Sequence, residues 1–549
     1  MNKTENKNLI SMKQRSFLFS VFYLIVFSAP LLSYSQKKVE IINANILKFD
    51  KDLGNGAKRL IGNVQFKQDN AVMFCDSAYF YSNNALDAFG HVHIQQGDSV
   101  NLYGDLLKYD GNTKKALITK NVVASKGDMQ LTTDVLNYDL ATSIGYYTTP
   151  AKIINKENVL TSATGYFFSK TNDLTFKKNV VLTNPQFVIN CDTMRYNTSS
   201  KITYFLGPTT IKSKDNLIYC EDGWYNTASD QSRFSKHSYI VTKEQKMFGD
   251  SLYYDRKKGI GRAIKNVQII DTIQKINIKG EYAIHYELKD LSIVTENAML
   301  TQMYEKDTLY LHADTLKAIG NTEKKEVGAR QDKPLISKNT DTTNTDKKPT
   351  VNKQGSIDKK QVFAYHKVKF FKHDLQGKCD SLIYEINDSI MKLYGQPTLW
   401  SDQNQLTGDS MNVLVGNKSI QAIEIHGTGF IVSQEDSLHF NQIRGKYIKG
   451  FFKNNEMYRI NVVGNGQTIY YAKDKVKDKE EIRAVNRADC SDLNIFLKNE
   501  KVEHITFITK PDATLSPLEK LDIKDLKLKD FTWRANHRPL TQKDIFNWE

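Results

Sequence analysis

Apolar and polar positions alternate along most of this chain in short runs, and one five-residue unit recurs among them: acid, x, apolar, x, aromatic. It reads Asp76-Ser-Ala-Tyr-Phe80, Asp105-Leu-Leu-Lys-Tyr109, Asp134-Val-Leu-Asn-Tyr138, Asp192-Thr-Met-Arg-Tyr196, Asp250-Ser-Leu-Tyr-Tyr254 and Asp380-Ser-Leu-Ile-Tyr384, with weaker copies from Asp222, Glu281, Asp314 and Asp409. Residues at i, i+2 and i+4 of a strand share a face, so this spacing predicts strands with the acid, the apolar residue and the aromatic on one side. The residues between them, such as Lys108, Asn137, Arg195 and Ser251, meet water. The starts at 76, 105 and 134 are 29 residues apart, and those at 134, 192 and 250 are 58 apart, or two periods.

A second motif keeps the same period between the copies: Gly62-Asn63-Val64, Gly90-His91-Val92, Lys120-Asn121-Val122, Lys178-Asn179-Val180 and Lys265-Asn266-Val267. Two interleaved motifs in one register define a repeat, and a repeat decides the architecture before any single element does. After the aromatic come turn residues, as in Tyr109-Asp110-Gly111-Asn112. The chain then returns through a second alternating run, Ala116 to Ala124, and meets a polar corner at Ser125-Lys126-Gly127-Asp128. One period is therefore about two strands and two turns. The predicted fold is all-β: stacked antiparallel strands in an elongated sandwich or roll, in one roll or two, with a parallel β-helix as the alternative.

Departures from the repeat mark the boundaries. Residues 1–35 carry Lys3, Lys7, Lys13 and Arg15, then the apolar run Phe17 to Leu32, then Ser33-Tyr34-Ser35. That order is the pattern of a secretory signal peptide cleaved before Gln36, and the apolar run is short for a permanent span. Residues 36–320 form the first repeat region. Residues 321–360 lack aromatics, are rich in Lys, Asp, Thr and Asn, and read as a disordered linker or loop. Residues 361–510 form a second repeat region. Residues 511–549 are a charged tail, with a short helix expected over Leu518 to Lys529 and a role in capping the open end of the array.

Charge and cysteine change the picture only a little. The formal net charge of +14 falls to +11 without residues 1–35, which hold four basic residues and Glu5. This balance favours anionic partners. Because the lysines are scattered along the strands of an exported chain, no nucleic-acid partner is expected. Five cysteines (Cys75, Cys191, Cys220, Cys379, Cys490) are too few for a disulfide scaffold. Strict strand parity puts Cys191 and Cys220 on opposite faces. No nucleophile elbow, phosphate loop, zinc signature or dinucleotide fingerprint is present, so no catalytic, metal or cofactor site is expected and the chain is not read as an enzyme. The acid column recurs in every unit, as no catalytic pair would, and suits local hydrogen bonding at a strand corner. The aromatic column is core in a closed roll and the lining of a trough in an open one.

The interleaved acid-x-apolar-x-Tyr-Asp and Gly-Asn-Val units behind a signal peptide resemble the OstA-like repeats of the LptA family and of the N-terminal domain of LptD, strongly over residues 38–320 and more loosely over 361–507. The resemblance implies an OstA-like β-jellyroll open at both ends, located in the periplasm or associated with the outer membrane. It implies lipopolysaccharide as cargo, with lipid A acyl chains held inside and the roll bridging inner to outer membrane. The implied partners are LptC-like inner-membrane and LptD-like outer-membrane proteins, with end-to-end self-association. The candidate lining transfers by column: Phe80, Leu107, Tyr109, Leu136, Tyr138, Met194, Tyr196, Leu252 and Tyr254. The length, the linker and the tail depart from the family pattern. A structural or adhesive β-solenoid with a sealed core is the rival reading. A polysaccharide-cleaving β-helix enzyme would need a localised carboxylate cleft that a uniform repeat does not provide.

Overall fold

Each long strand is bent once, near its middle, and that bend organises everything else. The computed structural model describes residues 38–49, 56–97, 100–304, 307–320, 360–416, 419–453, 456–476, 479–498 and 501–548. The signal-peptide and linker segments expected over 1–35 and 321–360 lie outside the described residues, apart from residue 360. Among the described residues thirty-six strands follow one another, and those of the repeat are mostly 10–12 residues long. Every strand pairing among the described residues is antiparallel, which removes the parallel β-helix. The architecture is a β-jellyroll of stacked antiparallel strands. Two compact units divide it: residues 1–156 with 164–170, and residues 157–163 with 171–549.

The two sequence motifs are the two halves of one bend. In strands such as Lys58–Gln68, Lys115–Lys126, Asp173–Asn184 and Ile260–Asp271, the Gly-Asn or Lys-Asn pair has positive φ at both residues: Gly62 79° and Asn63 48°, Lys120 63° and Asn121 48°, Lys178 63° and Asn179 53°, Lys265 58° and Asn266 51°. Two left-handed residues in succession break the ladder as a bulge and turn the strand across itself. The partner strand bulges at the same level, at the acid. Asn121 donates to Asp105 at 2.6 Å, and Asn266 donates to both oxygens of Asp250 at 3.1 and 3.0 Å. His91 and Asp76 are 2.7 Å apart, as are His366 and Asp380 at 3.1 Å. The acid column is therefore a row of clips on the bend.

The bulge corrects two parity arguments. Asp76, Asp134, Asp192 and Asp250 are exposed, whereas Ala78, Leu136, Met194 and Leu252 two residues on are buried. The acid does not share their face, because the bulge inserts a residue between them. For the same reason Cys191 and Cys220 lie on one face. Cys191 is in register with Thr209 and Thr209 with Cys220, and all three are buried. Both thiols are free, as are the other three. Each cysteine occupies the small-residue position that ends the far half of the strand at the bend, filled elsewhere by Gly104, Thr133, Gly249 and Gly280. Space there is short: a β-carbon on Gly104 would lie 2.4 Å from Ile118 Cγ2, and one on Gly280 2.6 Å from Val294 Cγ1.

Bending splits each unit into two leaves that face each other across the interior. In the first unit the front leaf holds Leu60, Ala78, Ala88, Leu107, Ile118 and Leu136, paired in that order from strand to strand. The back leaf holds Phe66, Met73, Ile94, Leu102, Ala124 and Leu131 in the same way. Residues of both leaves pack into one core, sealed by the valines of the second motif.

In the second unit, strand Gln361–Lys372 pairs with Thr308–His312 and Thr315–Ile319, so the ladder continues past residues 321–359. The tail forms no α-helix among its described residues; it first adds strand Asp512–Pro517 to the edge of Lys479–Lys498 and then leaves the sheet. It runs lengthwise over the outside of the back leaf as a strap with 3₁₀ turns at Leu518–Lys520, Ile523–Leu526, Ala535–His537 and Asp544–Phe546. Buried glutamines hold it by imitating a strand edge. Gln442 bonds Leu526 O and Leu528 N, both at 2.8 Å, and Gln405 bonds Thr532 O at 2.7 Å and Arg534 N at 2.6 Å. Leu528, Phe531 and Trp533 close a second core with Phe430, Val432, Ile469, Tyr471 and Val485.

Two expectations test the bend. Gly104→Val should lower the urea midpoint by the equivalent of about 1–3 kcal/mol through overpacking; an unchanged midpoint would show slack at the bend. Burial pushes the thiols of Cys75, Cys191 and Cys220 up to about 12. In the native protein at pH 7 a maleimide should therefore label half-buried Cys490 first, with the other four reacting only on unfolding. Rapid native labelling of Cys191 would contradict the packing described.

Candidate functional site

At the far edge of the leaves, opposite the bend, the interior either closes or opens, and a repeated side-chain pair decides which. In the first unit, Tyr109 at the end of Val100–Asp110 donates to Gln68 Oε1 of the facing leaf at 2.5 Å, and Gln68 donates in turn to Gly111 O at 2.9 Å. Tyr138 donates likewise to Gln96. In the second unit, Tyr384 and Tyr304 donate to Gln302 Oε1 at 2.8 and 3.0 Å. Each such latch ties front leaf to back leaf over a buried interior. Burial raises the hydroxyl pKa of Tyr109, Tyr138 and Tyr384, so the phenols stay neutral donors. Where latches occur, the back-leaf ladder is dry: Phe66 is 0 % exposed, Met73 1 %, Ile94 0 % and Leu102 2 %.

A stretch of the second unit, over residues 173–286, has no such cross-leaf bond among its described residues. Eight strands run from Asp173–Asn184 to Ile276–Tyr286. Their back-leaf ladder is Leu182, Ile189, Ile211, Ile218, Ile240, Met247, Ile269 and Ile278, each in register with the next. Six of the eight are half-buried although they point inward; Ile189 and Ile278 near the ends are buried. The front-leaf ladder beside the bend remains buried throughout, through Phe176, Met194, Phe205, Phe234, Leu252, Ala263 and Ala283. The result is an apolar trough with a closed floor and an accessible side. At about 4.8 Å per strand, its seven steps run about 34 Å.

The front rim of the trough carries aromatic and small residues in alternation: Tyr196, Thr203, Tyr225, Ser232, Tyr254 and Gly261 are in register. Their hydroxyls turn to their own side. Tyr225 donates to Asp230 at 2.7 Å, and Tyr254 donates to Glu287 at 2.5 Å. Burial, and then that carboxylate, push the Tyr254 hydroxyl up to about 12. The turns along both rims expose Lys201, Lys214, Lys243, Arg256, Lys257, Lys258 and Lys275; their acids are exposed Asp215, Glu244 and Glu287, half-buried Asp230 and Asp271, and buried Asp255. The mouth is therefore net positive.

The nine lining candidates fall into three groups. Leu107, Leu136, Met194 and Leu252 are each 2 % exposed and form the floor beside the bend. Tyr109 and Tyr138 are latched, and Phe80 packs on Phe66 with ring centroids 5.9 Å apart. Tyr196 and Tyr254 stand on the rim of the open stretch, above Met194 and Leu252. The back-leaf ladder was missed, although it had a signal: an apolar residue two places after the motif valine (Phe66, Ile94, Leu182, Ile269) and two places before the small bend residue (Met73, Leu102, Ile189, Ile218, Met247, Ile278).

The bent-strand jellyroll with an apolar interior falls in a class that comparison with known families identifies. The family of OstA-like proteins matches residues 36–192, and that of the LptA/(LptD N-terminal domain) LPS transport proteins matches residues 277–419. Over these stretches the chain is an OstA-like/LptA family protein. The proteins of that family serve lipopolysaccharide transport in the periplasm and are not enzymes, and lipopolysaccharide transport is the general function of this chain. No curated protein matches it. Among solved structures, LptH of Pseudomonas aeruginosa, the LptA homologous periplasmic component of the lipopolysaccharide transport device, is 10 % identical, with 25 % of this chain and 82 % of that chain covered at a TM-score of 0.15. That overlap adds nothing to the family match.

The latch itself is testable. Gln68→Ala leaves the buried Tyr109 hydroxyl without its acceptor, which should cost about 1–3 kcal/mol in urea unfolding. Adding Tyr109→Phe should recover part of that loss. If Gln68→Ala costs nothing, the bond does not hold the leaves.

Proposed function

We propose that the trough over residues 173–286 holds the acyl chains of lipopolysaccharide, with the phosphorylated sugars outside along the basic rim. The observation that carries this reading is the half-buried ladder from Leu182 to Ile269, because inward apolar side chains left accessible are unusual in a folded sheet and call for a cover. Each methylene of an acyl chain laid on the ladder gains about 0.8 kcal/mol. Since successive rungs carry Ile, Leu or Met about 4.8 Å apart, neighbouring positions are nearly equal in energy and cargo shifts along them without a large barrier. Direction is supplied from outside the chain. The lysines and arginine of the rim attract the anionic headgroup and keep it at the mouth.

In this reading the chain is a periplasmic element between inner and outer membrane, with LptC-like and LptD-like proteins at its ends. The first unit offers a surface for end-to-end association: Glu40–Asn43 and Ile46–Phe49 border the first long strand and expose Ile42, Ile46, Leu47 and Phe49. The sealed-solenoid alternative describes the latched zones well, and there the interior serves as framework.

Photo-crosslinking in cells tests the proposal. A probe at Ile211, Ile240 or Met247 should give lipopolysaccharide adducts, whereas one at sealed Ile94 or outward Tyr239 should not. A folded, exported protein with no adduct at any trough position would remove the cargo assignment.

A further inference from the structure

The latches obey a spacing rule that continues through the open stretch, where the side chain is too short to obey it. Gln68 is the last residue of its strand, and its tyrosine lies three strands later, 41 residues on. Gln96 is the last residue of its strand, and Tyr138 follows three strands later at 42. Gln302 and Tyr384 are 82 apart. Removing the 40-residue segment 321–360 between them leaves 82 − 40 = 42. The same position in the open stretch is Asn184, the last residue of Asp173–Asn184, opposite Tyr225 (225 − 184 = 41). The next is Ser213, the last residue of Ile202–Ser213, opposite Tyr254 (254 − 213 = 41). Both occupants are shorter than glutamine, and both are engaged elsewhere. Asn184 donates to Asn158 at 2.9 Å and accepts from Gln186 N at 2.9 Å, while Ser213 bonds within its own turn to Asn216.

We infer that Asn184 and Ser213 are the access-determining residues of the trough: their short side chains withhold the cross-leaf hydrogen bond that glutamine makes elsewhere, and so leave the Leu182–Ile269 ladder open to acyl chains. The length of the opening is then set by which strand ends carry glutamine. This rests on the acyl-chain reading for its ligand but not for its geometry. A glutamine at either place has the reach that Gln68 and Gln96 have, and Tyr225 and Tyr254 exchange an acceptor on their own leaf for one across the mouth.

The test uses the full chain with Cys490→Ser to remove the one half-buried thiol, and Met247→Cys as a reporter on the ladder. In that background a bulky maleimide labels residue 247 quickly. With Asn184→Gln and Ser213→Gln added, labelling should slow at least tenfold, whereas Lys212→Gln, which places the same group on the outer face, should leave the rate unchanged. Unfolding would accelerate labelling, so slower labelling cannot come from a damaged fold. An unchanged or faster rate in the double glutamine variant overturns the inference. In parallel, cis-parinaric acid serves as an acyl probe and should bind the parent at least tenfold more tightly than the double glutamine variant. If labelling slows but the parent binds no parinarate, the latch rule stands and the acyl-chain reading falls.

Discussion

The bend in the middle of each strand is the constraint from which the rest follows. Two successive residues in the left-handed region are costly unless one is glycine, on the order of 1–2 kcal/mol per residue. They persist at Lys120-Asn121, Lys178-Asn179 and Lys265-Asn266 because surrounding interactions hold them. Among these are the carboxylate clips from Asp105 and Asp250. Because every strand bends at the same level, the bends align into a line, and a pleated ribbon becomes two facing leaves. The narrowness of that line dictates the small residues along it. It also explains why all five cysteines of the chain sit in equivalent positions: a thiol is among the largest groups that fits.

Given the bend, the interior has two regimes. Beside the line the leaves are close, and the front-leaf ladder is buried from Leu60 to Leu136 in the first unit and from Phe176 to Ala283 in the second. At the far edge nothing in the backbone forces contact, so side chains decide. Where glutamine meets tyrosine, a polar pair closes over an apolar interior, each group satisfying the other. Where asparagine or serine stands instead, the tyrosines turn to Asp230 and Glu287 and the ladder keeps contact with solvent. In the proposed reading, access to the apolar trough turns on the length of one polar side chain at each strand end, without a change in fold.

The strand content, the period and the family were legible in the sequence, because period-2 alternation and two motifs in register leave few architectures open. Parity was legible only between bends. Counting residues straight through Cys75-Asp76 or across Cys191 to Cys220 assigns the wrong face, since each bulge consumes a residue that alternation cannot see. Of the lining candidates, Met194 and Leu252 are buried beneath the open stretch, whereas Leu107 and Leu136 stand in the latched zone. The accessible side of the trough was not legible, because Leu182, Ile211, Ile240 and Ile269 look like any other core position until one knows whether the edge above them is tied. The strap over the outer back leaf was illegible for another reason: its partners, Gln376, Gln405 and Gln442, are ordinary polar residues on alternating strands, and only the fold brings them under the tail.

That strap bears on the order in which the molecule assembles. Repeat hairpins join residues a few tens apart and can form as soon as each is available. The contacts of Leu526, Thr532 and Arg538 reach strands 84 to 162 residues earlier, and Asn547 reaches Lys369 across 178. Long loops of that kind close late. Phe430, Val432 and Tyr471 therefore pass through a stage with bare apolar faces on an otherwise finished sheet, the surface most prone to aggregation and to capture by chaperones.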